Sequence, residues 1–375
     1  MRVLIAALVL AFGTAQAKDY RVDPSTFGQL PTGSLVAGDR VLLAPGKYGH
    51  LMIRGIHAKG GQVEIVEESD GVHATFLDVR NSSNVVIRGI DVWPEAVGTD
   101  WLARVQTKGK TANIVLDQLD IRGGPNDDCM SWSLADWKAT DGRAVLLYGS
   151  GHTIQNSRVR CFRTGIFVLG DNISALNNDV RGMTGDFFAF SGNNVRIENN
   201  RIADGFDRRD GNHRDAIQSR RPRDRAKIAD TVIAGNVFHY WTGPADHPLR
   251  SPDSQGFMLH DNPMVDLTVR DNEMVISAWH GIFVKNGGNA LITGNTIVSA
   301  SPGKVGWINT FYGNGGSAEV SRATVAGNRA ERFKIDRRDR ETNNALIRNE
   351  ESVMQTVLAK LASPPPAPPA PRARP

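Results

Sequence analysis

From about residue 60 the chain alternates short apolar runs with turns, and the runs share one layout. AVLLYG (144–149), GIFVLG (165–170), DFFAFS (186–191), DAIQSR (215–220), GFMLHD (256–261) and GIFVKN (281–286) start 21, 21, 29, 41 and 25 residues apart. A second column keeps phase with them: Asn178, Asn200, Asn236, Asn272, Asn295 and Asn328, each followed two positions later by Val180, Ile202, Phe238, Met274, Ile297 or Ala330. A period near 22 residues is one coil of a parallel β-helix, in which short strands and tight turns return the chain about 4.8 Å higher each lap. Leucine-rich repeats share the length but need a Leu-rich consensus, whereas this chain uses Val, Ile and Asn. Each Asn is expected in a turn, tolerating a left-handed backbone and bonding its counterpart on the next coil.

Alternation along the strands separates inside from outside. In GIFV, Ile166 and Val168 fill the coil, so the first, third and fifth positions of each run face solvent. On this register the last two positions stack outward as Tyr148-Gly149, Leu169-Gly170, Phe190-Ser191, Ser219-Arg220, His260-Asp261 and Lys285-Asn286, with Phe311 and Tyr312 on the coil after. The column is apolar low in the solenoid and ionisable in the middle.

Both ends depart from the repeat. Met1-Arg2, the apolar run Val3 to Phe12 and Ala15-Gln16-Ala17 form the pattern of a secretory signal over residues 1–17, too short for a membrane span, which needs about 20 residues. The folded domain is then 18–362. Within 340–362, Leu346, Val353, Val357 and Leu361 fall at helical spacing, which predicts a C-terminal helix capping the solenoid. SPPPAPPAPRARP (363–375) is a Pro-rich tail without the composition for a core.

Two cysteines, Cys129 and Cys161, exclude a disulfide scaffold and leave a single bridge open. The formal charge of +4 and pI near 9.1 suit an acidic polymer without requiring one. Placement matters more. The long spacings around DAIQSR mark emergent loops, and these carry Arg208, Arg209, His213, Arg214, Arg220, Arg221, Arg223, Arg225, Trp241, His247 and Arg250 toward Asp215, His260 and Lys285. His213, His260 and His280 fall on three successive coils.

AGDRVLLAPGKY (37–48), with later coils ending in AGNVF, RDNEM and TGNTI, resembles the pectate-lyase-like superfamily, which includes alginate and chondroitin lyases. The resemblance covers most of the chain after the signal. It implies an all-β, right-handed parallel β-helix and an enzyme of polysaccharides. NHRDAIQ (212–218) is similar to segments that place a His and an Asp on one coil in several such enzymes. The NTDG and double-Asp pattern of polygalacturonase-type hydrolases is replaced by RDAI and LHDN, and the DPHD of mannuronan epimerases is missing.

The expected reaction is β-elimination on a uronic-acid polysaccharide, which requires a base and a partner for the substrate carboxylate. His260 or Lys285 is the expected base, with His213, oriented by Asp215, assisting as acid. Arg220 or Arg221 binds the carboxylate, since guanidinium pairs with it in bidentate fashion. Arg250, Trp241, His280 and Tyr312 complete the expected substrate-binding set. A Ca²⁺ ion would take Asp207, Asp210 or Asp215, although no dedicated calcium loop is present. The alternatives are a glycoside hydrolase using Asp186 and Asp215, with Asp261 one coil on, and a carbohydrate-binding solenoid without turnover. The expected partner is an acidic polysaccharide, with no nucleic acid and no membrane span, met by a monomer in the periplasm or outside the cell.

Overall fold

The computed structural model describes residues 17–98, 102–222, 226–311 and 322–363. The segment read as an export signal lies outside these except for Ala17, and the Pro-rich tail except for Ser363. Every strand ladder is parallel, and successive strands of a face come from successive coils. One face is a 13-stranded sheet running from Asp19–Val22 to Arg340–Thr342, and a 22-stranded sheet wraps the other two. Those two are joined where Val72–Arg80 pairs with both Asp91–Val92 and Ala103–Lys108. The all-β parallel β-helix expected from the repeat is the fold observed.

The face that matters below is built from β1 (Thr164–Val168), β2 (Phe188–Phe190), β3 (Arg214–Ser219), β4 (Ser254–Val265), β5 (His280–Gly288) and β6 (Trp307–Phe311). Its inward column is Ile166, Phe188, Ile217, Phe257, Ile282 and Ile308, paired coil to coil and all fully buried. Burying such side chains is the main stabilisation a narrow solenoid has, at about 1.5–3 kcal/mol each.

The asparagine column is a continuous internal ladder. The Nδ2 of Asn178 donates to Asn200 Oδ1 at 3.0 Å, and the same bond repeats from Asn200 to Asn236, Asn272, Asn295, Asn328 and Asn344. A second Nδ2 bond goes to a backbone carbonyl, as from Asn236 to Ile197 at 2.8 Å. The left-handed residue of each turn is not the ladder asparagine but the one before it: Asn177, Asn199, Gly235, Asp271, Gly294, Gly327 and Asn343 have φ between 53° and 67°. At Gly235 the requirement is also steric, because a Cβ there would collide with Asn199 Oδ1.

A C-terminal helix is present, α2 (Glu350–Ala362). It begins later than the spacing suggested because Asn344 carries the ladder one coil further, so Arg340–Thr342 and Ala345–Leu346 remain strands. Asn349 caps it by accepting from Ser352 N at 3.2 Å. Its buried Val353, Val357 and Leu361 pack on Ala203, Val275 and Val298, an outward apolar column on the flank of the coils. Arg201 donates to the terminal carbonyls of Lys360 and Leu361, and Arg181 to that of Leu361, placing two cations at the negative end of the helix dipole. No helix among the described residues is long and apolar enough to cross a membrane.

Candidate functional site

On this face the outward floor is the column Phe167, Ala189, Gln218, Met258, Phe283 and Asn309. The register differs from the sequence expectation in two coils. Ile166 pairs with Phe188 rather than Phe187, a one-residue slip that turns Phe190 and Ser219 inward, where both are fully buried. A second irregularity follows: Leu259 pairs Val284 and Met264 pairs Asn286, so His260, Asp261, Asn262 and Pro263 bulge out opposite Lys285.

The expected row of Asp215, His260 and Lys285 is therefore not formed. Asp215 pairs with Gln255, five residues before His260, so their backbones are offset by roughly 16 Å along the strand, although the His260 ring, stacked on Phe283, comes close enough for its charge to act on Asp215. Lys285 pairs with Phe311 at the opposite end of the face from Asp215. Asp186 lies one coil below Asp215, since the Phe187 amide donates to the Asp215 carbonyl at 2.9 Å.

Asp186, Asp215 and Gln255 thus form a stack of polar side chains at the N-terminal edge of the face, all buried. His213 closes over it, its ring Nδ1 2.9 Å from Asp215 Oδ1. Asp215 Oδ2, Gln255 Oε1 and the adjacent Ser254 Oγ have no hydrogen-bond partner among the described residues, and neither do His260 Nδ1 and Asn262 Nδ2 further along β4. Buried polar atoms without a protein partner are groups that water or a ligand can satisfy. Arg220 starts at the far end of β3 and ion-pairs with Asp186, so its guanidinium crosses the floor. Side-chain exposure sorts the four: Asp215 0% and Asp186 4%, against His213 41% and Arg220 44%. The carboxylates lie beneath, and the imidazole and guanidinium face solvent.

Electrostatics follow from that layering. Burial first, then the Asp215 charge, push Asp186 up to about 6. Burial also raises Asp215. His213 is raised, chiefly by its hydrogen bond to Asp215. In the neutral state its Nδ1–H points at the carboxylate, which leaves the Nε2 lone pair directed outward.

Two coils higher the floor becomes aromatic. Phe283 stacks with His260 at 5.1 Å, with His280 at 4.8 Å and with Phe311 at 4.9 Å. Trp307 Nε1 donates to His280 Nδ1 at 2.9 Å. An indole N–H only donates, so the His280 proton sits on Nε2. Burial is the largest cause holding His280 down to about 4, which keeps it neutral near pH 7. His213, His260 and His280 do come together across three coils, as the repeat implied. Phe283, Trp279 and Gln255 were not foreseen, though following the middle strand position from coil to coil would have found Phe283.

The loop that carries His213 is held from outside. Residues 123–142 leave the solenoid, include α1 (Leu134–Ala139), and are pinned by a Cys129–Cys161 disulfide. Their Trp132 and Trp137 pack with Phe206, Trp241 and Leu249. Arg208 reaches Asp141 Oδ1 at 2.5 Å and the Lys138 carbonyl at 3.0 Å. Trp241, expected to contact substrate, belongs to this packing: it is buried and its Nε1 donates to the Pro244 carbonyl at 2.8 Å. Arg221 and Arg250 are exposed. Tyr312, Arg223 and Arg225 lie outside the described residues. The carboxylates considered for Ca²⁺ do not converge: Asp207 Oδ1 accepts from Arg214 and the Arg209 amide, Asp210 faces Arg163, and Asp215 holds His213.

A family model described as a right handed beta helix region matches residues 132–329. A comparison with curated proteins finds no match. Among solved structures, the chain is similar to the pectate lyase Pel9A, with 13% identity over 90% of this chain and 80% of that one and a TM-score of 0.45. It is similar to the PL6 family polysaccharide lyase Pedsa3628 from Pseudopedobacter saltans, at 13% identity over 88% and 93% of the two chains, TM-score 0.49. It is also similar to the Streptococcus pneumoniae surface protein and adhesin PfbA, at 12% identity over 87% and 97%, TM-score 0.46.

Proposed function

Because the chain belongs to the right-handed β-helix family, with one outward face free to carry side chains in rows, we propose that this face cleaves an acidic, uronic-acid-containing polysaccharide by β-elimination. The observation that carries the reading is the layering: Asp186 and Asp215 are buried, while His213 and Arg220 are what a ligand meets. A base beside a cation is what elimination next to a carboxylate requires.

In this reading Arg220, with the exposed Arg221 nearby in sequence, takes the substrate carboxylate and stabilises the charge that grows on it as the adjacent C–H bond breaks. His213 Nε2 accepts that proton, and Asp215 holds the ring and stabilises the imidazolium. The electron pair left behind forms the new C=C bond and expels the glycosidic oxygen, which leaves with a proton. His260, stacked on Phe283, stands on the coil above as the donor. Lys285 has no part, because its strand position puts it at the other end of the face. The polymer is met in the periplasm or outside the cell, in keeping with the signal pattern of residues 1–17 and with the disulfide.

One observation favours hydrolysis instead. Asp186, pushed up to about 6 beside a second carboxylate, has the character of a general acid. Products separate the two readings. Incubation with a panel of acidic polysaccharides should release an unsaturated, ultraviolet-absorbing sugar. Saturated reducing ends would replace elimination with hydrolysis, and binding without turnover would make the face a binding surface.

A further inference from the structure

Trp279 is the only tryptophan among the described residues that is exposed, at 39% of its surface, and it sits at the edge of the reactive face. It immediately precedes β5, two coils above Asp215, which is roughly 10 Å along the axis. It does not hang free. Its ring stacks on Trp307 at 5.6 Å with 27° between planes, and the Trp307 amide donates to the Trp279 carbonyl at 3.1 Å. Trp307 is itself fixed by its bond to His280 and by the Lys334 ammonium, 3.5 Å from its ring centroid. Lys334 has no carboxylate partner among the described residues, so its charge is available to a ligand.

A large indole held rigid at the solvent edge of a strand face, at the cost of leaving apolar surface wet, is the arrangement of a contact platform. The lower site already takes a charged sugar in the proposed function, and the same strand face continues upward to this pair. We propose that Trp279, backed by Trp307, is a separate subsite that stacks the pyranose ring of a further sugar in the chain, and that Lys334 pairs with that sugar's carboxylate. The proposal rests on the polysaccharide reading of the face. It adds that the face grips acidic sugars on the upper-coil side of the cleavage point.

Uronate oligosaccharides of increasing length are the probe, with neutral glucan oligosaccharides of matched length as the control. Binding is read from intrinsic tryptophan fluorescence, and cleavage separately from absorbance of the unsaturated product. The expected result is a fluorescence change with the longer uronates only. Trp279→Ala should weaken their binding and raise KM by roughly three- to tenfold with kcat unchanged, and Trp279→Phe should restore most of the affinity. Lys334→Gln should weaken the uronates and leave any residual glucan binding alone. Unchanged affinity in Trp279→Ala, or no binding of any uronate by the unaltered protein, overturns the subsite. Trp279-dependent binding without cleavage leaves the subsite standing and removes the lyase reading. Cleavage with a KM indifferent to Trp279 does the reverse.

Discussion

Two stacks of buried polar side chains climb this solenoid, the asparagine ladder inside it and the Asp186, Asp215 and Gln255 stack at the edge of the candidate face. In the ladder each donor and acceptor is used: the amide of Asn236 donates to Asn272 and to Ile197, and its Oδ1 accepts from the Asn200 side chain and backbone. The second stack leaves Asp215 Oδ2 and Gln255 Oε1 unpartnered and places two carboxylates on adjacent coils, one of them pushed up to about 6. Asn178 to Asn328 and the members of the second stack are all buried. What separates them is satisfaction by protein partners: a complete network specifies structure, and an incomplete one leaves groups for solvent or a ligand to satisfy.

That contrast breaks most visibly if the two stacks are cut in turn. His213→Ala should lower turnover by about 10²- to 10⁴-fold and leave the melting temperature nearly unchanged, because the ring is a partly exposed lid. Asn236→Ala should do the opposite. It strips the partner from the Asn200 amide and backbone N–H, costing roughly 2–5 kcal/mol of stability in denaturant unfolding, with kcat retained by the protein that remains folded. If Asn236→Ala is thermally silent, the ladder is decoration and the comparison fails.

A smaller effect tests the price of the second stack. Asp186 has a folded pKa near 6, above its ordinary carboxylate value, so its contribution to stability is present below about pH 4 and is lost as pH rises through about 6. Asp186→Asn removes this dependence. Relative to the variant, the unaltered protein should lose up to about 3 kcal/mol between pH 4 and pH 7, followed by unfolding at several pH values. A constant difference across that range would show that Asp186 is not held protonated by burial. Lys285→Ala should give the smallest change, with turnover within about twofold, since Lys285 lies at the far end of the strand from His213. A loss comparable to that of His213→Ala would relocate the base.

The sequence made the coils legible because a solenoid repeats its own chemistry. Ile166 and Ile282 announce the interior and Asn178 to Asn328 announce the ladder, each seen several times over. The site is where repetition stops. Nothing in DFFAFS or DAIQSR shows that each strand is entered one residue late, and that slip is what buries Asp186 and Asp215; Lys285, fifth in its run where Asp215 is first, was already four positions further along, and the slip adds one. The bulge from His260 to Pro263 likewise depends on how two coils pair rather than on either coil alone. His213 was legible from NHRDAIQ as a His and an Asp two residues apart. Its role as the group on top, with Arg220 reaching over to Asp186, required the register. Trp241 failed as a predicted contact because an aromatic in a loop looks the same whether it meets a ligand or fills the space under α1.

Whether the buried carboxylate stack raises and orients His213, as the proposed base requires, can be tested before any substrate is known. An NMR titration of the His213 ring, in the unaltered protein and in Asp215→Asn, reads the coupling directly. The expected midpoint lies above the ordinary histidine value in the unaltered protein, from the Asp215 hydrogen bond, and falls clearly toward or below that value once the carboxylate becomes an amide. A ring that titrates at its ordinary value in both proteins would contradict it.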